Sequence, residues 1–285
     1  MIFTNTESCA NEKQESTETE WIGEGHVPNR ISRQLSPVKV LWVVRAPRSQ
    51  KERSFPNCIA TMRAVSSDPH ICSVGEANIY RSDLESLTKG RWLTDAILDF
   101  AKEYCIEALD EDTKKKISVV SPVFCQMLRF CGTIEEVASL CSDFGLSASK
   151  WTLFLLNNSF DSERAYSGTH WSLLVFDPLE RRFAIYDSIS GDYSSRLAAS
   201  QIVEAVSPVL GAPKDNLSIA DAHSSKQQNS SDCGMYTIEH MAAIIQAVKN
   251  DTNVDLDHIT PAYIDDRREE WKKIIVGRAA SNRRI

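Results

Sequence analysis

Apolar positions along the chain change period near residue 150. Ile97, Leu98, Ala101, Tyr104 and Cys105 recur every three or four residues, the spacing of one buried helical face, and Thr94 or Asp95 stands where that helix needs a cap. Ser121-Pro122 opens a second helix carrying Val123, Met127, Leu128 and Phe130, since proline suits a first turn. A third spans Thr133 to Cys141. The pattern then shortens. Trp151 to Leu156 is a compact apolar run closed by Asn157-Asn158, which suits a buried strand, and Asp161 to Gly168 is a polar loop. His170 to Phe176 and Arg182 to Asp187 are strand-like runs separated by Asp177-Pro178-Leu179-Glu180, so they form an antiparallel hairpin. If Phe176 pairs with Arg181, His170 stands opposite Asp187. A helix from about Ser195 to Leu210 and a strand near Leu217 to Ala220 follow. Finally Met235, Ile238, Met241, Ala242, Ile245 and Val248 mark one face of a helix that begins after a polar loop, where Ser230, Ser231 and Asp232 are all competent N-caps.

Ahead of these elements the grammar is different. Met1 to about Val74 is rich in Ser, Thr, Asn, Glu and Pro and reads as a largely disordered extension, with one apolar run at Val38–Val44 that could be a strand or a docking peptide, although a solitary strand does not stand alone in water. Ordered structure is expected from near Ala77, giving an extension over residues 1–74, a folded domain over 75–280 and a tail at 281–285. A length of 285 residues with 42% apolar content supplies a real core. The net charge of −7, with Lys and Arg scattered apart from short runs such as Lys114-Lys115-Lys116 and Arg267-Arg268, argues against a nucleic-acid partner. No stretch approaches the ~18 apolar residues of a membrane span, and the start lacks a signal-peptide pattern, so a cytoplasmic or nuclear location is expected. The eight cysteines show no C-x-x-C pair and read as reduced thiols, with Cys105, Cys125 and Cys131 in core surroundings.

One of those thiols has a different setting. Cys233 sits at a helix start, where unpaired N–H groups and the positive end of the helix dipole favour the thiolate. A buried cysteine is also an ordinary packing residue, so the functional reading needs a base. His170 supplies one, and Asp187 across the hairpin supplies the group that orients it. Gln227 lies on the loop into the same helix, where its amide and the Cys233 N–H could share an oxyanion. A zinc site is the competing use of Cys and His. His240 stands about 10.5 Å from Cys233 along one helix axis, too far to share an ion, and His223 has no close ligand pair, so no metal and no cofactor are expected.

Three segments now carry a resemblance. Gly168-Thr169-His170-Trp171-Ser172-Leu173-Leu174-Val175, then Tyr186-Asp187-Ser188, then Gln227 to Tyr236 through Asp232-Cys233-Gly234 resemble, in order, the Ulp/sentrin-specific cysteine proteases. Ser82 to Tyr104 with Trp92-Leu93-Thr94-Asp95, and Thr260-Pro261-Ala262-Tyr263 with Glu270-Trp271, resemble its compact deneddylase branch, so the likeness runs from about Ala77 to Ile275. It implies an α+β, papain-like fold with a helical N-terminal half, a mixed, mostly antiparallel central sheet and the nucleophile at the start of a central helix. It also implies a thiol protease or isopeptidase that cuts after the C-terminal Gly-Gly of a ubiquitin-like modifier. The catalytic residues would be Cys233, His170, Asp187 and Gln227, and Trp92, Trp171 and Asp95 would lie along the modifier tail. The implied partners are a neddylation-type modifier first and SUMO second, with conjugates such as cullins, and the enzyme acts as a monomer. Thr94 departs from the Asn usual in the family, and the extension before Val74 has no counterpart in the compact branch. A desumoylating protease, an acetyltransferase of related fold and an inactive modifier-binding module remain the alternatives.

Overall fold

Strands β4 (Trp151–Asn157) and β5 (Trp171–Asp177) are apolar at almost every position because both faces of the sheet they centre are covered. Successive side chains alternate between two cores. Leu153, Leu155, Leu173 and Val175 enter one, and Phe154, Leu156, Leu174 and Phe176 enter the other. The sheet runs β3 (Ile117–Val120), β4, β5, β6 (Arg182–Tyr186) and β7 (Ile219–Asp221). Its two inner pairings are antiparallel, and the outer pairings, β3 with β4 and β6 with β7, are parallel. The sheet is therefore mixed, as the papain-like reading expects.

The computed structural model describes residues 68–160, 168–212 and 218–282. Most of the expected extension, the Val38–Val44 run, Cys9, Cys58, residues 161–167 of the polar loop, Leu217 and the last residues of the tail lie outside them. Helices α2 (Asp95–Glu107), α7 (Cys233–Asn250) and α8 (Pro261–Asn282) bury side chains in the core that holds Leu153. Helices α4 (Pro122–Phe130), α5 (Ile134–Asp143) and α6 (Tyr193–Leu210) fill the other. Two short helices, α1 (Arg81–Ser86) and α3 (Glu111–Lys116), complete the set. Met235, Ile238, Met241 and Ile245 are buried on α7 as expected, but so are Tyr236, Thr237, Glu239 and His240. Burial of that kind all round marks a central helix rather than a surface one.

Four sequence expectations change. An antiparallel hairpin, β1 (His70–Val74) with β2 (Ala77–Tyr80), places folded structure ahead of Ala77 and inside the segment assigned to the extension. Strand β3 and helix α3 were hidden by their shortness and by the Lys114–Lys116 run, although Asp110 caps α3 by accepting from the Thr113 N–H at 2.8 Å. Helix α4 begins where Ser121-Pro122 places it, with the Ser121 hydroxyl accepting from Phe124 N. Its buried residues, however, are Phe124, Cys125, Leu128 and Arg129, while Val123, Met127 and Phe130 are exposed. Apolar residues occur on both faces of this helix, so periodicity did not choose between them. The hairpin register also moves. Phe176 faces Phe183, not Arg181, and Asp177 faces Arg182. A shift of two residues leaves every side chain on its own face, so His170 and Asp187 become diagonal rather than direct neighbours.

Candidate thiol site

Cys233 is the first residue of α7 and is buried. Asp232 occupies the N-cap position without capping. Its Oδ1 accepts from Arg268 Nε and Nη2 at 3.0 and 2.7 Å, and its Oδ2 accepts from Asn229 Nδ2 at 2.6 Å. Asn229 takes over the local turn: its Oδ1 accepts from the N–H groups of Ser231 and Asp232, each at 3.0 Å. A Cβ on Gly234 would stand 3.0 Å from Leu93 Cβ, so glycine lets the Trp92–Leu93 segment lie against the start of α7 without either giving way.

His170 precedes β5 and is held through its backbone. Asn158 Oδ1 accepts from the N–H groups of Thr169 and His170 at 2.7 and 3.0 Å, and the Asn158 N–H donates to the His170 carbonyl at 3.2 Å. The ring Nε2 lies 2.7 Å from Asp187 Oδ1, and that oxygen also accepts from Ile189 N at 2.8 Å. The Cys233 thiol acts on the same ring and, with Asp187, favours its charged form. With Nε2 held by Asp187, Nδ1 is the nitrogen left for the thiol. Burial pulls the His170 pKa down, but the hydrogen bonds and charges of Asp187 and Cys233 outweigh it and raise the value to about 10. The imidazolium form is thereby favoured beside the thiol. The Asp187 carbonyl is itself fixed, accepting from Lys226 Nζ at 2.7 Å and Ser224 Oγ at 2.9 Å.

Gln227 reaches the same loop. Its Oε1 accepts from Ser188 Oγ at 2.6 Å, its N–H donates to the Ser188 carbonyl at 3.0 Å, and its Nε2 donates to the Asn229 carbonyl at 2.5 Å. The Ser188 bond sets which way the amide faces, leaving one Nε2 hydrogen beyond that used on Asn229. The two tryptophans differ sharply. Trp92 is 49% exposed and donates to the Ser230 carbonyl at 2.6 Å, three residues before Cys233. Trp171 is 8% exposed, packs in the core and donates to the Leu93 carbonyl at 3.1 Å. Both indoles thus brace the segment that touches Gly234. Asp95 opens α2, with Oδ1 accepting from Ala96 N at 3.0 Å, and burial raises its pKa. Thr94 does not cap with its side chain; its Oγ1 donates to Asp83 Oδ1 at 2.9 Å, tying α2 to α1.

Among the described residues, one group has ligand atoms close enough for a metal: His170, Asp187 and Asp192, all within 4.8 Å. The Asp192 carboxylate is engaged by Ser194 and Ser195 at the start of α6. His240 is buried near the rings of Tyr186 and Tyr236, and burial, reinforced by Lys226, lowers its pKa to about 3. His223 is exposed, 3.7 Å from Asp257. Sequence reasoning did not single out Asn158, Lys226, Ser224, Ser188 or Arg268. Asn158 and Lys226 stood in segments already marked as a strand end and a polar loop, whereas Arg268 carried no signal beyond a basic pair.

Fold and site together define a cysteine peptidase of papain-like architecture. Residues 164–279 match the Ulp1 protease family, C-terminal catalytic domain. Sentrin-specific protease 8 of Homo sapiens is 34% identical over 209 residues, covering 73% of this chain and 97% of that protein. A probable sentrin-specific protease 8 of Dictyostelium discoideum is 30% identical over 240 residues, covering 72% and 96%. NEDD8-specific protease 1 of Arabidopsis thaliana is 27% identical over 178 residues, covering 62% and 76%. The C-terminal Ulp1 protease domain solved in complex with Smt3, the yeast ortholog of SUMO, superimposes with a TM-score of 0.57 at 17% identity, covering 76% of this chain and 90% of that one. That likeness speaks for the fold. The chain belongs to the Ulp1 protease family.

Proposed function

We propose that the protein is a deneddylating thiol peptidase that cuts after the C-terminal Gly-Gly of a NEDD8-type modifier. It would mature the precursor, release the modifier from substrate lysines, or both. The observation that carries this reading is the buried Cys233 at the start of α7 together with a buried His170 whose ring meets Asp187 at 2.7 Å. The preference for a NEDD8-type modifier is supported by the NEDD8-specific proteases among the relatives and by the resemblance of Trp92–Asp95 and Thr260–Tyr263 to the compact branch. SUMO is the competing modifier. Conjugates such as neddylated cullins are the proposed substrates. The enzyme acts as a monomer in the cytoplasm or nucleus, where its thiol stays reduced.

In the proposed mechanism the Cys233 thiolate attacks the carbonyl carbon of the terminal glycine while His170 is imidazolium. The oxyanion forms against the Cys233 N–H and the Gln227 amide. His170 then passes its proton to the departing lysine or peptide nitrogen, the C–N bond breaks, and a thioester remains on Cys233. Water, deprotonated by neutral His170, attacks that thioester and returns the thiol. Asp187 holds the imidazole in one orientation throughout. Trp92 and Trp171 flank the glycine tail, with Asp95 close by, so a slot between flat indoles admits residues without side chains.

The test is cleavage of fluorogenic NEDD8 and SUMO substrates by the parent and by Cys233→Ala, with labelling by each modifier bearing an electrophilic C-terminus. Cleavage and labelling of NEDD8 by the parent alone are expected. Cleavage by Cys233→Ala would overturn the nucleophile, and a preference for SUMO would overturn the modifier. Absence of both reactions in the folded parent would make it a binding module, and turnover of acetyl-coenzyme A would make it an acetyltransferase.

A further inference from the structure

Arg268 is 1% exposed on α8, yet its guanidinium faces neither solvent nor an acidic partner alone. Its Nη1 donates to the Ser86 carbonyl at 3.3 Å and its Nη2 to the Arg91 carbonyl at 3.1 Å, both on the segment that leads to Trp92. On the other side, Nη2 donates to the Ser231 carbonyl at 3.0 Å, and Nε and Nη2 grip Asp232 Oδ1 at 3.0 and 2.7 Å. One planar group therefore joins the Trp92 segment to the two residues immediately before Cys233. The Trp92 indole closes the same link from the surface by donating to the Ser230 carbonyl.

We propose that Arg268 is a positioning residue of the thiol site, setting the spacing between the Trp92 wall and the Cys233 loop so that a glycine tail is presented in line with the sulfur. The proposal rests on the reading of Cys233 as nucleophile. Its physical basis is the guanidinium fork. A buried charge is tolerated only when its donors are satisfied, and here three carbonyls from two separate segments plus one carboxylate do that. Lysine keeps the charge but has three donors on a single atom, so it cannot span both segments in a plane. The neighbour Arg267 serves a different purpose. It pairs with buried Glu239, which also accepts from Tyr263 and Trp271, and so joins α8 to α7 away from the loop. A basic pair in the sequence thus divides into one residue for the helix junction and one for the site.

The experiment compares parent, Arg268→Lys, Asp232→Asn and the double variant on the fluorogenic NEDD8 substrate, with kcat and KM determined separately and folding checked by circular dichroism and thermal melting. Arg268→Lys is expected to remain folded with kcat lower by about 100-fold, the scale of a misplacement of about 1 Å, and KM changed by no more than about threefold. Asp232→Asn, nearly the same shape, should show the same split because it releases the other half of the grip. The double variant should fall no further than the worse single one, as for two parts of a single device. Folded Arg268→Lys or Asp232→Asn with parental kcat overturns the proposal, as does a loss of kcat that only follows the folded fraction. Fully additive losses in the double variant also overturn it. Cys233→Ala run beside them separates this question from the nucleophile assignment, since its continued cleavage would refute that assignment whatever Arg268 does.

Discussion

Replacing Asp187 by Asn tests the electrostatics of the site most directly. His170 is buried at 4% exposure, and its Nε2 meets Asp187 Oδ1 at 2.7 Å. A hydrogen bond to a charged group of this kind contributes about 1.5–3 kcal/mol. At about 1.4 kcal/mol per pH unit, that corresponds to roughly 1–2 units of imidazole pKa. The whole rise, from 6.5 to about 10, is larger because Cys233 adds to the effect of Asp187, and it stands even though burial acts downward. The sign follows from the direction of that shift. A raised pKa keeps the imidazolium in place as pH climbs through 6.5, so the parent's alkaline limb of kcat/KM lies well above the ordinary imidazole range. Asn removes the negative charge while burial remains, so the limb should move down by roughly 1–2 units. The rate near neutral pH should fall on the order of 100-fold through lost orientation. The assay is kcat/KM on the fluorogenic modifier substrate from pH 5.5 to 10, with circular dichroism at each pH. An alkaline limb that stays put in Asp187→Asn, or a parental limb at the unperturbed imidazole value, would refute the reasoning.

Two further substitutions probe the supports. Asn158→Ala strips the acceptor from the backbone donors of exposed Thr169 and buried His170, which at about 1–3 kcal/mol per unsatisfied buried group predicts a loss of about 1–3 kcal/mol in urea unfolding. It should also lower kcat more than it raises KM, and unchanged stability with parental kcat would sink the assignment. Gly234→Ala places a methyl 3.0 Å from Leu93 Cβ, an overpacking of about 1–3 kcal/mol that the better helix propensity of alanine, about 1 kcal/mol, offsets in part. The net effect on melting should therefore be small while kcat/KM falls several-fold through displacement of the Trp92–Leu93 segment. Parental kcat/KM would show that the segment's closeness to α7 is incidental.

The candidate site residues Cys233, His170 and Asp187 were legible in the sequence for a reason that also limits what else was. Cysteine before an apolar helical stripe, histidine opening a strand and aspartate closing its partner strand are chemical types at element ends, and ends are visible as changes of period. The hairpin register was wrong by two residues, yet the conclusion drawn from it survived, because a two-residue slip preserves faces and leaves His170 and Asp187 within reach on the diagonal. A slip of one would have put them on opposite sides of the sheet. The face of α4 lacked that protection, since Val123, Met127 and Phe130 are as apolar as the Phe124, Cys125 and Leu128 that the core selects. The β1–β2 hairpin and β3 were invisible because strands of four or five residues, without a repeated pattern, are marked only by what they pair with.

What no periodicity reveals is the set of side chains that hold the loops. Each chemical group here is carried on a loop or an element end, and three of them have their own tie to the main chain: Asn158 for His170, Lys226 with Ser224 for Asp187, and Asn229 with Arg268 for the residues before Cys233. These ties run from side chain to backbone, so the partner's residue type is irrelevant and leaves no mark in the sequence. Several also span long separations, the Arg268 bond to the Ser86 carbonyl joining opposite ends of the folded domain. Loss of such a contact is expected to shift a loop that carries a site residue without opening the core. Such substitutions should separate activity from stability, with kcat falling out of proportion to any change in melting, whereas removal of core residues such as Leu155 or Ile238 should lower both together.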